Sequence, residues 1–306
     1  MLSKSFGRLR AVDGVDLRVP SGQIMVLLGR IGAGKSTLLR MLAGYLLPSS
    51  GQMRIAGLDL RRQRLAAQRC LGYMPPASAL YGDMRVRAFL RFVASLRGLD
   101  GLDRDRRMGD IGRRLKLDEV MGVPLSRLPP DWRWRVGLGQ ALLHEPEVLL
   151  LDEPGAGLDD RQRRELHTLL DAQSHGRSVL IASRQPGTAM AGCDRVAVMH
   201  RGRVLVDATP TQLLAESRYH GAVSFTAAHA AVARQALARL DGVMAIETDV
   251  RSGRTTVFAK PAAAILEPVL ATLRALEVGY SEIQLERGRL ADVLDQLAAK
   301  AEARAA

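Results

Sequence analysis

Two short stretches of this 306-residue chain carry residue types whose spacing suits phosphate chemistry. The first, Gly29-Arg30-Ile31-Gly32-Ala33-Gly34-Lys35-Ser36-Thr37, has the pattern G-x-x-x-x-G-K-[ST]. In that pattern glycines let successive backbone N–H groups turn inward around phosphate oxygens, and the following helix adds positive potential at its start. Lys35 would then reach the β- and γ-phosphates, Ser36 would offer its hydroxyl to Mg2+, and Thr37 would cap the helix or bond the α-phosphate. The second stretch, Val148-Leu149-Leu150-Leu151-Asp152-Glu153, is an apolar run that ends in two carboxylates. Asp152 would position Mg2+ through water, and Glu153 would polarise an attacking water as a general base. An apolar strand ending in Asp-Glu is common by itself; the phosphate loop upstream is what gives it meaning.

Both stretches need a scaffold that brings them together. Ile24 to Leu28 is an apolar run of strand length, and Leu38, Leu39, Met41 and Leu42 follow the loop at helical spacing, so the order is strand, loop, helix. Val148 to Leu151 and Val179 to Ala182 read as buried strands separated by a polar helix over about 160–175, the pattern of a parallel α/β sheet. In such sheets ligands bind at the carboxyl edge of the strands, where the loop and Asp152 would meet. Residues 51–60 read as a hairpin arm, and 84–143 as an Arg-dense helical region. Pro129-Pro130-Asp131 interrupts that region, and Asp131 is placed to cap the next helix. Val196 to Met199 and Arg203 to Val206 flank a His-Arg-Gly turn. From about 218 Ala-rich helices alternate with short strands at 221–227, 243–249, 254–259 and 281–286, in the order βαββαβ of a ferredoxin-like unit. The Ala/Glu/Arg tail after Leu297 is expected to fray.

Composition bounds the partner. With 47% hydrophobic and 25% charged residues the chain is an ordinary folded protein, and its length favours one large core with an appendage. Aromatics make up 4%, which argues against a reader that stacks single-stranded bases. The net charge of +12 implies an anionic partner, either nucleic acid, a membrane face or a polyphosphate, although only five of 44 cations are lysine and a coding bias towards Arg contributes. Two cysteines, Cys70 and Cys193, are too few for a disulfide framework, so a reducing cytosol is expected. No apolar run approaches the ~20 residues that span a bilayer, and no apolar h-region follows the basic residues at the start, so no secretory leader is expected. The six histidines show no metal-ligand spacing with cysteine.

These motifs resemble the ATP-binding subunit of ABC transporters over residues 2 to about 216. Phe6, in Lys-Ser-Phe-Gly-x-x-x-Ala-Val-Asp-Gly-Val, stands at that family's adenine-stacking position, and Pro154 with Gly157-Leu158-Asp159 resembles its D-loop, Asp159 communicating across a dimer. Cys193-Asp194-Arg195-Val196 and Gly202-Arg203-Val204 resemble its closing strands. More narrowly, Gly72-Tyr73-Met74-Pro75, Leu80-Tyr81-Gly82-Asp83-Met84, Arg135-Val136-Gly137-Leu138 and Gln140 to His144 resemble the ABC-2 and gliding-motility export type, as do Leu285-Glu286-Arg287 and Leu290 to Leu294. The resemblance implies a P-loop NTPase core of α/β class over 1–216, a helical subdomain over about 77–145 and a regulatory or dimerisation appendage over 217–306. It implies ATP and Mg2+ as ligands, a homodimer or heterodimer with a second ATP-binding subunit, a separate integral-membrane permease, a peripheral place on the inner membrane face and no nucleic acid. Leu80, Tyr81, Met84 and Phe89 fall where the family docks its permease.

The resemblance also exposes departures. The signature Leu-Ser-Gly-Gly-Gln aligns with Leu128-Pro129-Pro130-Asp131-Trp132, where proline supplies no N–H and Asp131 brings negative charge towards a phosphate. Pro76 stands where the family has a glutamine or acidic residue that senses Mg2+ and couples to the permease, and Arg184 replaces the switch histidine; arginine can hold a γ-phosphate but cannot act as a neutral imidazole. One lost preorganised contact typically costs ~10² to 10³ in rate, so slow hydrolysis is expected. An active ATPase that tolerates these changes, and a nucleotide-gated subunit without useful hydrolysis, are the alternatives. Trp132 and Trp134 between Arg133 and Arg135 read as a helix face packed under the signature loop, with a nucleic-acid stacking patch as the minor reading.

Overall fold

The computed structural model describes residues 1–76, 82–174, 176–185, 192–227 and 230–303. By internal contacts the chain divides into two units, Met1–Ala208 and Thr209–Ala306.

The first unit opens with an antiparallel hairpin of β1 (Leu2–Phe6) and β2 (Leu9–Val15). β3 (Ile24–Leu28) leads through the glycine loop into α1 (Lys35–Leu42). A small hairpin, β4 (Arg54–Ile55) and β5 (Leu58–Asp59), precedes α2 (Arg64–Arg69) and β6 (Leu71–Met74). The helical region holds α3 (Val86–Leu96), α4 (Gly101–Leu115) and α5 (Pro130–Leu142). β7 (Val148–Asp152), α6 (Asp160–Ser174), β8 (Ser178–Ser183), β9 (Arg195–His200) and β10 (Arg203–Ala208) complete it.

Six of these strands form one sheet in the order β10-β9-β3-β8-β7-β6, parallel except for the β10 edge. Residues of β3, β7 and β8 are buried nearly without interruption, as expected for strands covered on both faces. Register sets the site: Leu28 pairs with Ser183 and Asp152 with Ala182, so the carboxyl ends of β3, β8 and β7 finish side by side. α5 lies against β6 through two glycines. A Cβ on Gly72 would stand 2.2 Å from the Ala141 carbonyl oxygen, and one on Gly137 would press on Met74. Asp131 does not cap α5: Pro129 takes the N-cap position and the helix begins at Pro130, where proline's missing N–H costs nothing because that donor has no helical partner.

The second unit starts with α7 (Pro210–Ala215), whose cap residue Thr209 exchanges hydrogen bonds with Gln212. β11 (His220–Ala227), α8 (Ala230–Leu237), β12 (Val243–Thr248), β13 (Arg254–Ala259), α9 (Leu266–Ala275), β14 (Tyr280–Arg287) and α10 (Leu290–Ala303) follow. The sheet runs β12-β13-β11-β14, entirely antiparallel, which is the ferredoxin-like arrangement, and Val223, Phe225, Leu237, Val257, Val269 and Leu273 form its core. α7 joins this unit, so the division falls at Ala208 rather than 216. A Cβ on Gly288 would stand 2.2 Å from the Leu214 carbonyl oxygen, and the Ser217 hydroxyl donates to Asp292 at 2.7 Å. The tail expected to fray after Leu297 is helical through Ala303, with residues 298–303 half-buried or exposed.

Gly72→Ala should therefore destabilise the first unit by ~1 to 3 kcal/mol through overpacking of α5 on β6, whereas Gly122→Ala, with open space around it, should stay within ~0.5 kcal/mol. Urea unfolding of the two variants checks this; equal midpoints would contradict the close approach.

Candidate functional site

The phosphate loop is shaped by contacts that exclude side chains. Gly34 occupies the N-cap of α1 at φ 104, and a Cβ there would meet the Ala11 carbonyl oxygen at 2.2 Å. A Cβ on Gly29 would stand 2.4 Å from the Met199 carbonyl oxygen, and Gly32 has φ 80. Two main-chain bonds hold the loop from behind: Gly29 N–H donates to Ser183 O at 3.3 Å, and Gly202 N–H to Ala33 O at 2.9 Å. Ala33 is buried, while Arg30, Ile31 and Gly32 form the exposed tip, with Ile31 82% exposed. Thr37 is the third residue of α1 and does not cap it, because Gly34 holds that position.

Charged groups converge below the loop. The Lys35 ammonium is almost fully buried, donates to Gly29 O at 2.7 Å and Arg30 O at 3.3 Å, and stands 3.5 Å from Glu153 Oε1. Burial lowers its pKa, opposed by the charges of Glu153 and Asp152. Asp152 is fully buried at the end of β7; its Oδ1 accepts from the Ser36 hydroxyl at 3.0 Å, and its Oδ2 has no hydrogen-bond partner. Burial pushes the Asp152 carboxyl upward, the Ser36 bond works against that, and neighbouring Glu153 adds to it. Glu153 has φ 53, an uncommon conformation for a non-glycine residue, fixed by its N–H bond to Ala182 O at 2.9 Å. Its carboxylate also meets Arg184, with Oε2 accepting the main-chain N–H at 3.2 Å and Oε1 lying 3.3 Å from Nε.

Other expected site residues lie apart from this cluster in the fold. Phe6 ends β1, 48% exposed, with the Lys4 ammonium 5.1 Å from its ring centroid. Asp159 caps α6 by exchanging bonds with Gln162 at 2.8 and 2.9 Å; Leu158 before it is buried, and Pro154 and Gly157 line a cavity of about 70 Å3 beside Glu153 and Arg184. Leu128 is buried, Pro129 and Pro130 are exposed, and Asp131 and Trp132 are half-buried at the start of α5. Arg133 ties that turn down through Leu128 O at 2.8 Å and Ser126 O at 3.0 Å. Trp132 and Trp134 flank the buried Arg135, which pairs with Glu165 of α6 at 2.6 Å, so both rings pack on a structural cation. Pro76 is half-buried on the wall of a groove of about 990 Å3 that Phe89 also lines. Met84 is half-buried; Leu80, Tyr81, His175 and His229 lie outside the described residues.

Sequence reasoning missed the supports of the loop. Ala11 of β2 and Met199 of β9 press on it, and Gly202 of the β9–β10 turn bonds it from behind. The one visible signal was the Gly in the His-Arg-Gly turn.

A glycine loop opening a helix above a buried lysine and two carboxylates, at the carboxyl edge of a parallel sheet, defines a P-loop nucleotide-binding domain. Comparison with known proteins narrows this: the family "ABC transporter" matches residues 12–156. The chain is 35% identical to the probable multidrug ABC transporter ATP-binding protein YbhF of Escherichia coli K12 over 217 residues, 71% of this chain and 37% of that one. It is 33% identical to the daunorubicin resistance ATP-binding protein DrrA3 of Streptomyces coeruleorubidus, over 70% of this chain and 68% of that one. It is 32% identical to the probable sulfate/thiosulfate import ATP-binding protein CysA of Chlorella vulgaris, over 67% of this chain and 87% of that one. Its fold matches cbiO1 of Clostridium perfringens, part of the ABC transporter complex cbiONQ, at TM-score 0.62 and 27% identity, covering 78% of this chain and 93% of that one. The chain belongs to the ABC transporter ATP-binding proteins. It spans little more than a third of the length of YbhF.

Ser36→Ala would leave both oxygens of the buried Asp152 carboxylate without a donor. Nucleotide-free protein should lose ~1 to 3 kcal/mol of stability, and Ser36→Thr, which keeps the hydroxyl, should recover most of it in the same denaturant titration.

Proposed function

We propose that the chain binds MgATP and, in a dimer of ATP-binding subunits, couples binding and slow hydrolysis to a separate membrane permease of ABC-2 export type. The observation that carries this reading is the convergence of Lys35, Ser36, Asp152 and Glu153 within hydrogen-bond or ion-pair distance under a loop with no room for a Cβ at Gly29 or Gly34.

The chain's own groups divide the work. Loop N–H groups and Lys35 bind the phosphates, with the ammonium leaving Glu153 for the more highly charged ligand. Phe6 offers a half-exposed ring face for adenine. The Asp152 oxygen that lacks a partner, beside the Ser36 hydroxyl, forms an all-oxygen donor set suited to a hard cation. Bound there, Mg2+ would neutralise charge on the β- and γ-phosphate oxygens. In hydrolysis a water oxygen bonds the γ-phosphorus, the bond to the ADP oxygen breaks, and Glu153 takes the water proton. Asp159, at the start of α6, belongs to the dimer-facing D-loop in this reading.

Three features support slow turnover. Pro129 and Pro130 supply no N–H groups where a partner's γ-phosphate would be held, and Asp131 adds a negative charge. Pro76 carries no side-chain amide, and Arg184 engages Glu153 directly. The same features favour a second reading, an ATP-gated subunit whose partner performs most of the hydrolysis. Export is supported by the multidrug and daunorubicin-resistance names of YbhF and DrrA3, although CysA carries an import name. The groove beside Pro76 offers a docking place for a permease loop, with Tyr45, Leu65, Phe92 and Leu96 exposed around it and Arg40, Arg69 and Arg97 on its wall. No described helix is long and apolar enough to cross a membrane, so the membrane is reached through the permease in this reading.

Purified protein should bind ATP, and Lys35→Ala should weaken that binding at least about tenfold, equivalent to ~1.4 kcal/mol. Steady-state phosphate release should stay well below ~1 s⁻¹, the lower end of ordinary enzyme turnover. Robust release by the chain alone, abolished by Glu153→Gln, would sink the slow-turnover reading while leaving the ATPase assignment intact.

A further inference from the structure

The geometry points to Arg184 as a positioning residue that clasps the Glu153 carboxylate and thereby limits the rate at which Glu153 can serve an attacking water. This inference rests on the proposed role of Glu153 and goes beyond it by giving Arg184 to the carboxylate and not to the nucleotide.

Both oxygens of Glu153 are occupied. Oε2 accepts the Arg184 main-chain N–H at 3.2 Å, and Oε1 is shared between Arg184 Nε at 3.3 Å and Lys35 Nζ at 3.5 Å. A carboxylate acting as a base must turn a lone pair towards water at ~2.6 to 3.2 Å, so donors already seated on it have to yield first. The two cations differ in how they yield. Lys35 is drawn off when phosphate enters the loop, because the ligand carries more charge than one carboxylate. Arg184 has no such competitor required by the loop, and its main chain is anchored: Ser183 before it ends β8, and the Ser183 hydroxyl accepts Gln185 N–H at 3.2 Å.

Glu153 cannot escape by moving its own backbone either. Its N–H is bonded to Ala182 O and its φ of 53 is held at the end of a central strand. The side chains therefore decide the matter. Glu153 is 15% exposed and Arg184 45% exposed, so the guanidinium reaches in from the solvent side and can swing out without disturbing the core. A guanidinium offers several donors in a fixed fork and stays charged at every working pH, whereas a neutral histidine offers one donor. The cavity of about 70 Å3 that Glu153 and Arg184 line has room for a few waters, so opening the clasp exposes the carboxylate to solvent without a larger rearrangement.

The test uses the full chain with Arg184→Ala, Arg184→Lys and the Glu153→Gln/Arg184→Ala pair. Arg184→Ala should raise kcat by about tenfold, the equivalent of ~1.4 kcal/mol in the barrier, with KM for ATP unchanged. Arg184→Lys should remain close to the parent, and in the Glu153→Gln background the Arg184→Ala gain should vanish. Without turnover, equilibrium titration of ATP and ADP by displacement of a fluorescent nucleotide should give an affinity ratio that Arg184→Ala leaves within about threefold. A fall in kcat, or a drop of tenfold or more in the ATP-to-ADP affinity ratio, would show that Arg184 binds the γ-phosphate and would overturn the clasp. Failure of every form to bind ATP, Lys35→Ala included, would overturn the nucleotide assignment together with it.

Discussion

The site depends on how closely three backbone segments approach. The phosphate loop lies against β2 at Ala11 and against β9 at Met199, at distances that leave no space for a Cβ on Gly34 or Gly29. That steric limit fixes where α1 begins, and the start of α1 fixes Lys35 and Ser36 relative to the sheet. The parallel register of β3, β8 and β7 then delivers Asp152 and Glu153 to the same edge. Chemistry at this edge is therefore a product of backbone packing, with side chains supplied at positions that the packing has already determined.

Electrostatics explains why the arrangement is poised without a ligand. Lys35 and Asp152 are both withdrawn from water, and burial disfavours the charged form of each. Carbonyl oxygens of Gly29 and Arg30 and the Glu153 carboxylate compensate the lysine, while Asp152 has a single hydroxyl donor. The lysine is thus nearly satisfied and the aspartate is not. A polyphosphate with its cation reverses this balance, giving the ammonium a stronger partner and the bare carboxylate oxygen a positive one. The cluster stores demand for a ligand in Asp152 and restraint in Glu153.

Much of this was legible in the sequence, for identifiable reasons. Lys35, Ser36, Asp152 and Glu153 were readable because a glycine loop between strand and helix, and an apolar strand ending in carboxylates, are local patterns with local causes. The ferredoxin-like order was readable from alternating strands, and the four-stranded antiparallel sheet follows it. The supports at Ala11 and Met199 were not readable, since their role lies in contacts between segments far apart in sequence. Capping was misjudged at Asp131 and Thr37 because side-chain propensity pointed to caps, whereas Pro129 and Gly34 took those positions through backbone geometry. Trp132 and Trp134 illustrate the same limit: their spacing left two readings open, and Arg135 between the rings, paired with Glu165, settles their packing.

In the proposed reading, the first turn of α5 shows how function can drift while the fold holds. α5 starts at Pro130 with a phase suited to proline, Trp132 and Arg133 N–H groups bond back to Pro129 O, and the Arg133 guanidinium closes the turn onto Leu128 and Ser126. Every structural duty of a helix start is met there by residues that present no cluster of free N–H groups. The helix body is equally well kept, with Gly137 and Gly139 allowing close contact to Met74 and Ile111, and Arg135 joining α5 to α6. Stability and phosphate recognition are thus separable at this position. Packing constrains the body of the helix, and only a bound phosphate would constrain its first turn. In the proposed reading, with the first turn freed in this way, nucleotide binding in this chain rests on Lys35 to Thr37 with Asp152 and Glu153, and on the ring of Phe6.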